Sequence, residues 1–259
     1  MPRIWQVPIE EMVRIAPLFY GWTETLIWSC LQGIMGRAWT DDLKEPRSAQ
    51  IQVGDFCFFA GHPHEGLAAH IAEDCTSNTL LLIPQHEGWQ QLLQRLYPQA
   101  KRQLRYALQK DPTAFDREKL AEFAASLPAC FTVRPIDEEL YVLAGQEEWS
   151  RDLCSQFPTY THYSQRGLGY MVLKGSEPVC GASSYTVYDG GIEIQIDTKE
   201  SFRRQGLALS CGARLILTCL EHGLYPSWDA ATPISLHLAE KLGYKPAGTY
   251  PVYALDIPL

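Results

Sequence analysis

A strictly alternating strand that runs into an almost entirely apolar helix is the feature that most restricts the fold of this chain. In IEIQID (192–197), isoleucines alternate with Glu193, Gln195 and Asp197, so one face of the strand is apolar and the other polar. The helix that follows, over about 207–222, carries a single narrow polar stripe, as a largely buried helix does. The two elements together predict a sheet whose apolar face packs against helices.

The segment between this strand and this helix, SFRRQG, is basic and ends in glycine. A buried helix directs its free N–H groups and the positive end of its dipole at the residues that precede it. Here those residues include Arg203, Arg204 and Gly206. Two arginines, and a glycine that permits close backbone approach, suit a pyrophosphate or another polyanion. An exposed basic turn is the alternative. The chain has no GxxxxGK[ST] P-loop and no GxGxxG after a strand.

The elements around this segment define the fold class of the C-terminal half. Their order, β-β-β-α-β-α-β, predicts an α/β fold of the α+β type with a mixed, mostly antiparallel sheet and flanking helices. Thr232, Pro233 and Gly243 are suited to the start and end of the last helix. The predicted elements are a hairpin (169–174 and 179–188), a strand (190–198), the apolar helix, a short strand LYPSWDA (224–230), a helix (232–243) and a strand TYPVYALDI (249–257).

The N-terminal half mixes helical and strand patterns and is predicted to form a smaller α/β domain. A helix that ends in proline suggests a boundary near Pro128, which divides the chain into 1–127 and 128–259. The predicted elements are an interrupted helix (10–28), a strand, turn and strand (50–60), a short strand (79–83) and helices at 89–96 and 116–128.

Composition excludes several classes of function. The net charge is −8, which argues against nucleic acid as a partner. No apolar run approaches the roughly 20 residues that span a bilayer, and the first residues lack the apolar core of a signal peptide, so we expect a cytoplasmic protein with no membrane association. Eight cysteines without a CxxC pair suggest buried thiols rather than a disulfide framework or a zinc site.

Two polar segments have ordinary explanations as well as functional ones. The basic run 99–110 is typical of a solvated face, with an anion site as the alternative. His62 and His64, in GHPHEG, lack a nearby third ligand and suggest a solvated turn. No metal site is expected.

Short motifs give the chain a resemblance to a known superfamily. R-x-x-G-x-A, present as Arg203, Gly206 and Ala208 after a strand, resembles the acyl-CoA pyrophosphate loop of the GNAT superfamily of N-acyltransferases. TPISLHLAEKLGYKPAG resembles the second motif of that superfamily, a helix followed by Gly243-Tyr244. The pattern covers about 167–253. CFFAG, ELYVL and LYPSWDA are similar to segments of a bacterial two-part GNAT family with a diverged α/β half in front.

The resemblance implies an acetyl-CoA-dependent N-acetyltransferase that moves an acetyl group to a primary amine by direct attack. The acceptor would be a small-molecule or protein amine, and a homodimer is an open option because GNAT-fold proteins are often dimers. The implied cofactor contacts are the backbone of Ile196, Asp197 and Thr198 along the pantetheine arm, Arg203 and the N–H groups of Arg204, Gln205, Gly206, Leu207 and Ala208 around the pyrophosphate, and Thr232 and Ser235 nearby.

The chemistry requires a base for the amine, and Glu193 is the first candidate, with Asp197 second. Many GNAT enzymes place a Tyr general acid four residues before the glycine of the second motif, where this chain has Ala239. A thiolate leaves without assistance more readily than an alkoxide, because a thiol pKa lies near 8.5. An acid is therefore either absent or supplied from elsewhere, with Tyr244, Tyr185 and His237 as candidates. We expect Trp228 to pack in the core rather than to act at the site.

Two other classes of function stay open at this point. Ala239 in place of Tyr would also suit a non-catalytic CoA-binding sensor or regulatory module. A phosphate-binding regulatory protein that does not use CoA is the third hypothesis. The acidic balance of the chain, with Glu193 and Asp197 beside the site, favours a cationic acceptor.

Overall fold

The structure is a computed structural model that describes residues 3–72 and 78–257, so Cys75 lies outside the described residues. Contacts between residues divide the chain into two units, Met1–Arg105 with Thr249–Leu259, and Tyr106–Gly248. The predicted domain boundary between residues 127 and 128 stays a prediction.

The first unit contains most of the N-terminal elements, and its last strand leads into the second unit. In chain order these elements are β1 (Trp5–Gln6), α1 (Met12–Ile15), α2 (Thr25–Leu31), β2 (Arg37–Thr40), β3 (Ser48–Val53), β4 (Phe56–Gly61), α3 (Glu65–Ala68), β5 (Thr79–Pro84), α4 (Glu87–Leu96) and β6 (Lys101–Leu108). The predicted strand, turn and strand at 50–60, the strand at 79–83 and the helix at 89–96 are confirmed. The predicted helix at 10–28 is broken into short 3₁₀ and α-helical turns.

The second unit contains the remaining elements, apart from the strand that returns to the first unit. They are α5 (Arg117–Ala125), β7 (Thr132–Pro135), α6 (Glu138–Ala144), α7 (Tyr160–Arg166), β8 (Gly169–Lys174), β9 (Glu177–Tyr188), β10 (Gly191–Thr198), α8 (Leu207–Glu221), β11 (Tyr225–Ser227), β12 (Asp229–Ala230) and α9 (Pro233–Lys241). The final strand, β13 (Pro246–Asp256), leads back into the first unit. In this unit a short 3₁₀ helix at Arg151–Leu153 precedes α7, and another at Glu200–Phe202 follows β10.

The sheet of the first unit has the order β1-β2-β3-β4-β5-β13. Only β4 and β5 are parallel among these neighbours. The strand predicted at 249–257 as the last member of the C-terminal sheet therefore pairs elsewhere, with Tyr253 opposite Leu82 of β5. The reason is burial, because Tyr253 and Leu255 belong to an apolar cluster with Leu80 and Trp89.

The sheet of the second unit has the order β7-β8-β9-β10-β11. Its neighbours are antiparallel except for β10 and β11, so the predicted mixed, mostly antiparallel sheet is confirmed. The single strand predicted at 224–230 is wrong, because the chain changes partner at Trp228. Tyr225–Ser227 pairs with β10, whereas Asp229 lies opposite Ala107 of β6.

Helices cover both faces of this second sheet. On one face, Ile196 packs closely against Gly212 of α8, which confirms that the apolar face of the strand packs on the helix. On the other face, Tyr163 of α7 forms a hydrogen bond of 2.9 Å with Ser183 Oγ of β9. The 3₁₀ turn before α7 brings Leu153 tightly against Gly181. The polar face of β10 therefore lies beneath α7 and this turn.

Candidate active site

The parallel pairing of β10 with β11 ends partway along β10. Gly191 to Glu193 lie opposite Tyr225 to Ser227, and then β11 ends. From Ile194 to Thr198, β10 pairs with β9 alone among the described residues. A free strand edge presents N–H and C=O groups that an extended ligand can pair with.

A bulge in the β9–β10 pairing coincides with this point. Glu193 lies opposite Thr186, but the next residue, Ile194, lies opposite Ser184, which leaves Tyr185 as the extra residue on β9. A bulge of this kind bends the strand and increases its twist, and such bulges are frequent next to active sites. The candidate base Glu193 thus lies where β10 bends and loses its β11 partner.

Glu193 is buried, with 4% of its surface exposed. Its negative charge is one of the causes, after burial itself, that raise the pKa of Tyr188, Tyr225 and Tyr244. For Tyr225 the raised value is about 12. These three phenols therefore stay neutral near pH 7, and Glu193 lies within electrostatic reach of all of them.

Asp197 lies at the other end of the free edge and is also perturbed. Burial raises the pKa of its carboxyl from 3.8 to about 6. The hydrogen bond from Gln195 Nε2, at 2.5 Å, opposes the rise, whereas the charge of Asp152 adds to it and that of Arg203 opposes it. Asp152 belongs to the 3₁₀ turn that packs on Gly181, and Gly181 lies opposite Asp197 in the pairing of β9 with β10. The polar end of β10 is thus a half-buried acidic site.

The basic loop after β10 leads directly into α8. Arg203 Nε donates to the Thr198 carbonyl at 3.3 Å, which attaches the loop to the end of the strand. Arg204 (φ +62°) and Gly206 (φ +80°) both have left-handed backbone conformations. Left-handed residues in a turn direct successive N–H groups towards a common point, where an anion can bind.

The start of α8 offers unused donors at the same place. The first hydrogen bond of the helix runs from Ser210 N to Gly206 O at 3.1 Å. The N–H groups of Gln205, Gly206, Leu207 and Ala208 have no acceptor within the described ranges, and Arg203 to Gly206 are exposed. The residues present therefore fit a pyrophosphate group, as the sequence predicts, although the contacts themselves stay a prediction.

The second motif forms the start of α9. Thr232 Oγ1 caps the helix by accepting the Ser235 N–H at 3.1 Å. His237 is exposed, with Nδ1 3.9 Å from a Glu240 carboxylate oxygen. Ala239, at the position where the resemblance to the superfamily leads one to expect Tyr, is completely buried. The structure thus places Thr232 and Ser235 together, whereas Ala239 packs in the core.

Tyr244, a candidate proton donor, is also buried. Its hydroxyl donates to the Pro226 carbonyl at 2.5 Å, and its ring meets the edge of Trp228 at 5.7 Å. Burial is the main reason that its pKa lies well above the usual value. This environment makes Tyr244 a poor proton donor and argues for a packing role. Trp228 is buried as expected, and Tyr185 is 7% exposed.

Lys110 and Ser227 form a contact that the sequence does not predict. The basic run forms β6 and the turn after it, where Lys101 pairs with Asp256 at 3.6 Å and the Arg105 guanidinium lies 4.9 Å from the Phe56 ring centre. Lys110, at the end of the run, instead donates to Ser227 Oγ at 2.5 Å. No sequence signal distinguishes Lys110 within the run, because its partner lies 117 residues away.

The described residues also include features without a role at this site. His64 Nδ1 caps α3 by accepting the Leu67 N–H at 3.2 Å, and no cluster that could hold a metal ion occurs among the described residues. The seven cysteines within the described ranges have free thiols, and of these Cys130 is exposed while the others are buried. In the described part of the chain, no helix is both long and apolar enough to cross a membrane.

Comparison with known proteins identifies the family. Residues 16–253 match the GNAT acetyltransferase family. A GCN5-related N-acetyltransferase-like protein from Streptococcus suis 89/1591 has a similar structure, with a TM-score of 0.89 and 44% identity, covering 94% of this chain and 98% of that one. An uncharacterized N-acetyltransferase, YdfB, from Bacillus subtilis (strain 168) is 27% identical over 88% of this chain and 89% of its own.

A more distant match shows the fold alone. A tandem GNAT protein from the clavulanic acid biosynthesis pathway is 11% identical, with a TM-score of 0.58, over 99% of this chain and 100% of its own. The family match covers nearly the whole chain, including β10, the basic loop and α9. The chain therefore belongs to the GNAT acetyltransferase family and is an acyl-CoA-dependent N-acetyltransferase.

Proposed function

We propose that the protein transfers an acetyl group from acetyl-CoA to a primary amine by direct attack. The observation that carries this proposal is the free edge of β10, which begins beside the buried carboxylate of Glu193 and leads to N–H groups at the start of α8 that have no acceptor among the described residues. The strand edge that would bind acetyl-CoA and the candidate base thus adjoin each other on β10.

The residues that would hold acetyl-CoA follow from the same geometry. The backbone of Ile196, Asp197 and Thr198 lies on the free edge and would pair with the pantetheine arm. The loop and the first turn of α8 would bind the pyrophosphate through the N–H groups of Arg204 to Ala208 and the charge of Arg203, with Thr232 and Ser235 nearby. When bound, acetyl-CoA supplies the acetyl group as an activated thioester.

The protein's own groups would then move one proton and stabilise one charge. Glu193 accepts the proton of the acceptor ammonium, directly or through a water molecule, so that the amine nitrogen can form the new C–N bond as the C–S bond breaks. A backbone N–H of the free edge donates to the carbonyl oxygen. The departing thiolate takes a proton from solvent, because a thiol pKa near 8.5 makes a dedicated acid unnecessary.

The charge around the site favours a cationic acceptor. Glu193 lies at one end of the polar face of β10, and Asp197 with Asp152 lies at the other. Negative charges in a partly dehydrated site attract an ammonium group and raise the local concentration of such substrates. The acceptor is therefore an amine that is protonated in solution and belongs to a small molecule or a protein.

The test is thiol release from acetyl-CoA in the presence of a panel of amines. We expect amine-dependent release, and we expect Glu193→Gln to lower kcat about 10²- to 10⁴-fold without changing the affinity for CoA. Glu221→Gln, at the exposed end of α8, is the matched control and keeps full activity. Tight CoA binding without release on any amine would refute the proposal and favour a non-catalytic CoA sensor, for which the buried Ala239 is the motivating observation.

A further inference from the structure

A cavity of about 480 Å³ lies between the start of α3 and one face of α4. Its volume is within the range of about 300–1,000 Å³ that small-molecule sites occupy. The whole cavity belongs to the first unit, whereas β10 and α8 belong to the second. The residues that line it are Pro63, Glu65, Gly88, Gln91, Leu92 and Arg95.

One end of the cavity carries two opposite charges. Arg95 Nη2 donates a hydrogen bond to Glu65 Oε1. The two side chains are 64% and 56% exposed, so the pair lies at the mouth of the cavity and is accessible to a ligand. An ion pair this exposed adds little to the stability of a fold. The pair therefore presents one positive and one negative group to the cavity without being needed to hold α3 on α4.

The other end of the cavity is apolar. Gly88 lies two turns before Arg95 on the same face of α4, about 10 Å along the helix axis. A Cβ on Gly88 would lie 3.0 Å from Pro63 Cγ, so the backbone of the helix approaches the proline closely there. Leu92, which is 8% exposed, lies between the two ends. The cavity thus suits a ligand with a charged head and a short apolar tail.

The ion pair has hydrogen-bonding capacity that it does not use. A guanidinium has several N–H donors, and a carboxylate accepts on both oxygens. Within the described ranges, Arg95 and Glu65 form side-chain hydrogen bonds only with each other. A ligand carboxylate can bind the remaining guanidinium donors while a ligand ammonium binds Glu65 Oε2. A ligand with a single charge meets a like charge in the same pair, so a zwitterion is favoured.

We propose that this cavity binds a free α-amino acid with an apolar side chain, with its carboxylate on Arg95 and its ammonium on Glu65. The apolar side chain lies along Leu92 and extends towards Pro63. The site is additional to the acetyl-transfer site and does not rest on the proposed function.

The first test is titration of the ¹⁵N-labelled full chain with L-leucine, followed by the backbone amide shifts of Gly88, Gln91 and Leu92. We expect saturable shifts with a dissociation constant on the order of 1 mM or lower, as a ligand of about nine heavy atoms allows. The probes 3-methylbutylamine, which lacks the carboxylate, and 4-methylpentanoate, which lacks the ammonium, should each bind at least about tenfold more weakly. Glycine keeps both charges without the apolar tail and should also bind at least about tenfold more weakly.

The second test repeats the leucine titration on variants of the ion pair. Arg95→Met and Glu65→Gln each remove one charge and should each weaken binding at least about tenfold. Arg95→Lys keeps the charge without the planar donors and should weaken binding less than Arg95→Met does. The matched control is Arg14→Met, which removes an exposed arginine that pairs with Glu11 in the same unit and does not line the cavity. It should leave the affinity unchanged, and the remaining amide shifts report that each variant is folded.

Three results would overturn the inference. The first is the absence of saturable shifts at Gly88, Gln91 and Leu92 up to about 10 mM leucine. The second is equal leucine affinity in wild type and Arg95→Met. The third is 3-methylbutylamine binding as tightly as leucine, because the ammonium alone would then be sufficient. Shifts confined to the second unit belong to the first of these results, because leucine would then bind away from α4.

These titrations contain no acetyl-CoA and so separate this inference from the proposed function. If wild type binds leucine at α4 but releases no thiol with any amine, the proposed function fails while this inference stands. If wild type is active and the α4 shifts do not respond to leucine, this inference alone fails.

Discussion

Asp197→Asn should stabilise the protein at alkaline pH and have almost no effect in acid. The carboxyl of Asp197 has a pKa of about 6 in the folded chain, against 3.8 for an unperturbed aspartate, chiefly because it is buried. The folded protein therefore binds this proton more tightly than the unfolded chain does. The stability associated with the bound proton is complete below about pH 4 and is lost as the pH rises through about 6.

The size of the effect follows from the same two values. A difference of about two pH units, at about 1.4 kcal/mol each, gives about 3 kcal/mol as an upper value for the cost of ionising Asp197 in the folded state. Asn keeps a carbonyl oxygen that can accept the hydrogen bond from Gln195 Nε2 and carries no charge. The substitution therefore removes the cost and preserves the local hydrogen bond.

The assay is urea unfolding of wild type and Asp197→Asn at pH 4.5, 6 and 8. The difference in the free energy of unfolding should grow from under about 1 kcal/mol at pH 4.5 to about 2–3 kcal/mol in favour of the variant at pH 8. Asp189→Asn, whose side chain is 71% exposed and pairs with Arg166, is the control and should show no such trend. A variant that is less stable than wild type at pH 8, or a difference that does not change with pH, would refute the reasoning.

Three further predictions concern the loop, Tyr244 and the packing of α8. Arg204→Gly should raise the melting temperature by a few degrees, because glycine accepts the left-handed conformation that costs other residues about 1 kcal/mol. The affinity for CoA should fall because a positive charge is lost. Lower thermal stability in melting curves recorded without CoA would contradict this prediction. Tyr244→Phe should lower the free energy of unfolding in urea by about 1–2 kcal/mol, because it removes the hydrogen bond to the Pro226 carbonyl, and its kcat should stay within about threefold of the wild-type value. A hundredfold loss of kcat at unchanged stability would restore Tyr244 as the candidate general acid. Ser210→Ala should lower the free energy of unfolding by about 1–3 kcal/mol in the same assay, because it removes the hydroxyl that donates to the Ala124 carbonyl. The control Ser201→Ala, at an exposed position, should have no effect. Equal stabilities of the two variants would show that this contact does not hold α5 on α8.

Local patterns in the sequence were sufficient to predict the three strands β8 to β10 and the helices α8 and α9, whereas β7, α6 and α7 were not predicted. The alternation of Ile192, Ile194 and Ile196 defines the face that packs on α8, and the glycine and proline signals around α9 define its ends. Both are short-range signals, so the chain carries them without reference to its tertiary partners. The basic loop could be placed at the start of α8 for the same reason.

Long-range pairing could not be read in this way. TYPVYALDI has the pattern of a strand, but nothing in it specifies β5 as its partner, 171 residues away at Tyr253 and Leu82. The change of sheet at Trp228 is equally invisible, because LYPSWDA has the same pattern whether it forms one strand or two. Periodicity fixes which face of a strand is buried and not which neighbour it pairs with.

Some residues of the candidate site are likewise predictable from local patterns, and others depend on long-range contacts. Glu193 and Asp197 follow from strand alternation, whereas the contact between Lys110 and Ser227 joins two segments 117 residues apart and depends on the fold. Residue type alone makes Tyr244 a candidate acid. Its burial and its bond to Pro226 are tertiary properties that the residue type does not reveal.

The most direct test of the account is a crystal structure of the protein with CoA bound. We expect pyrophosphate oxygens about 3 Å from the N–H nitrogens of Gly206 and Ala208, and the pantetheine arm hydrogen-bonded along Ile196 to Thr198 on the free edge of β10. CoA bound away from β10 and the start of α8, or a free edge that stays unpaired in a crystal with CoA at full occupancy, would contradict the account.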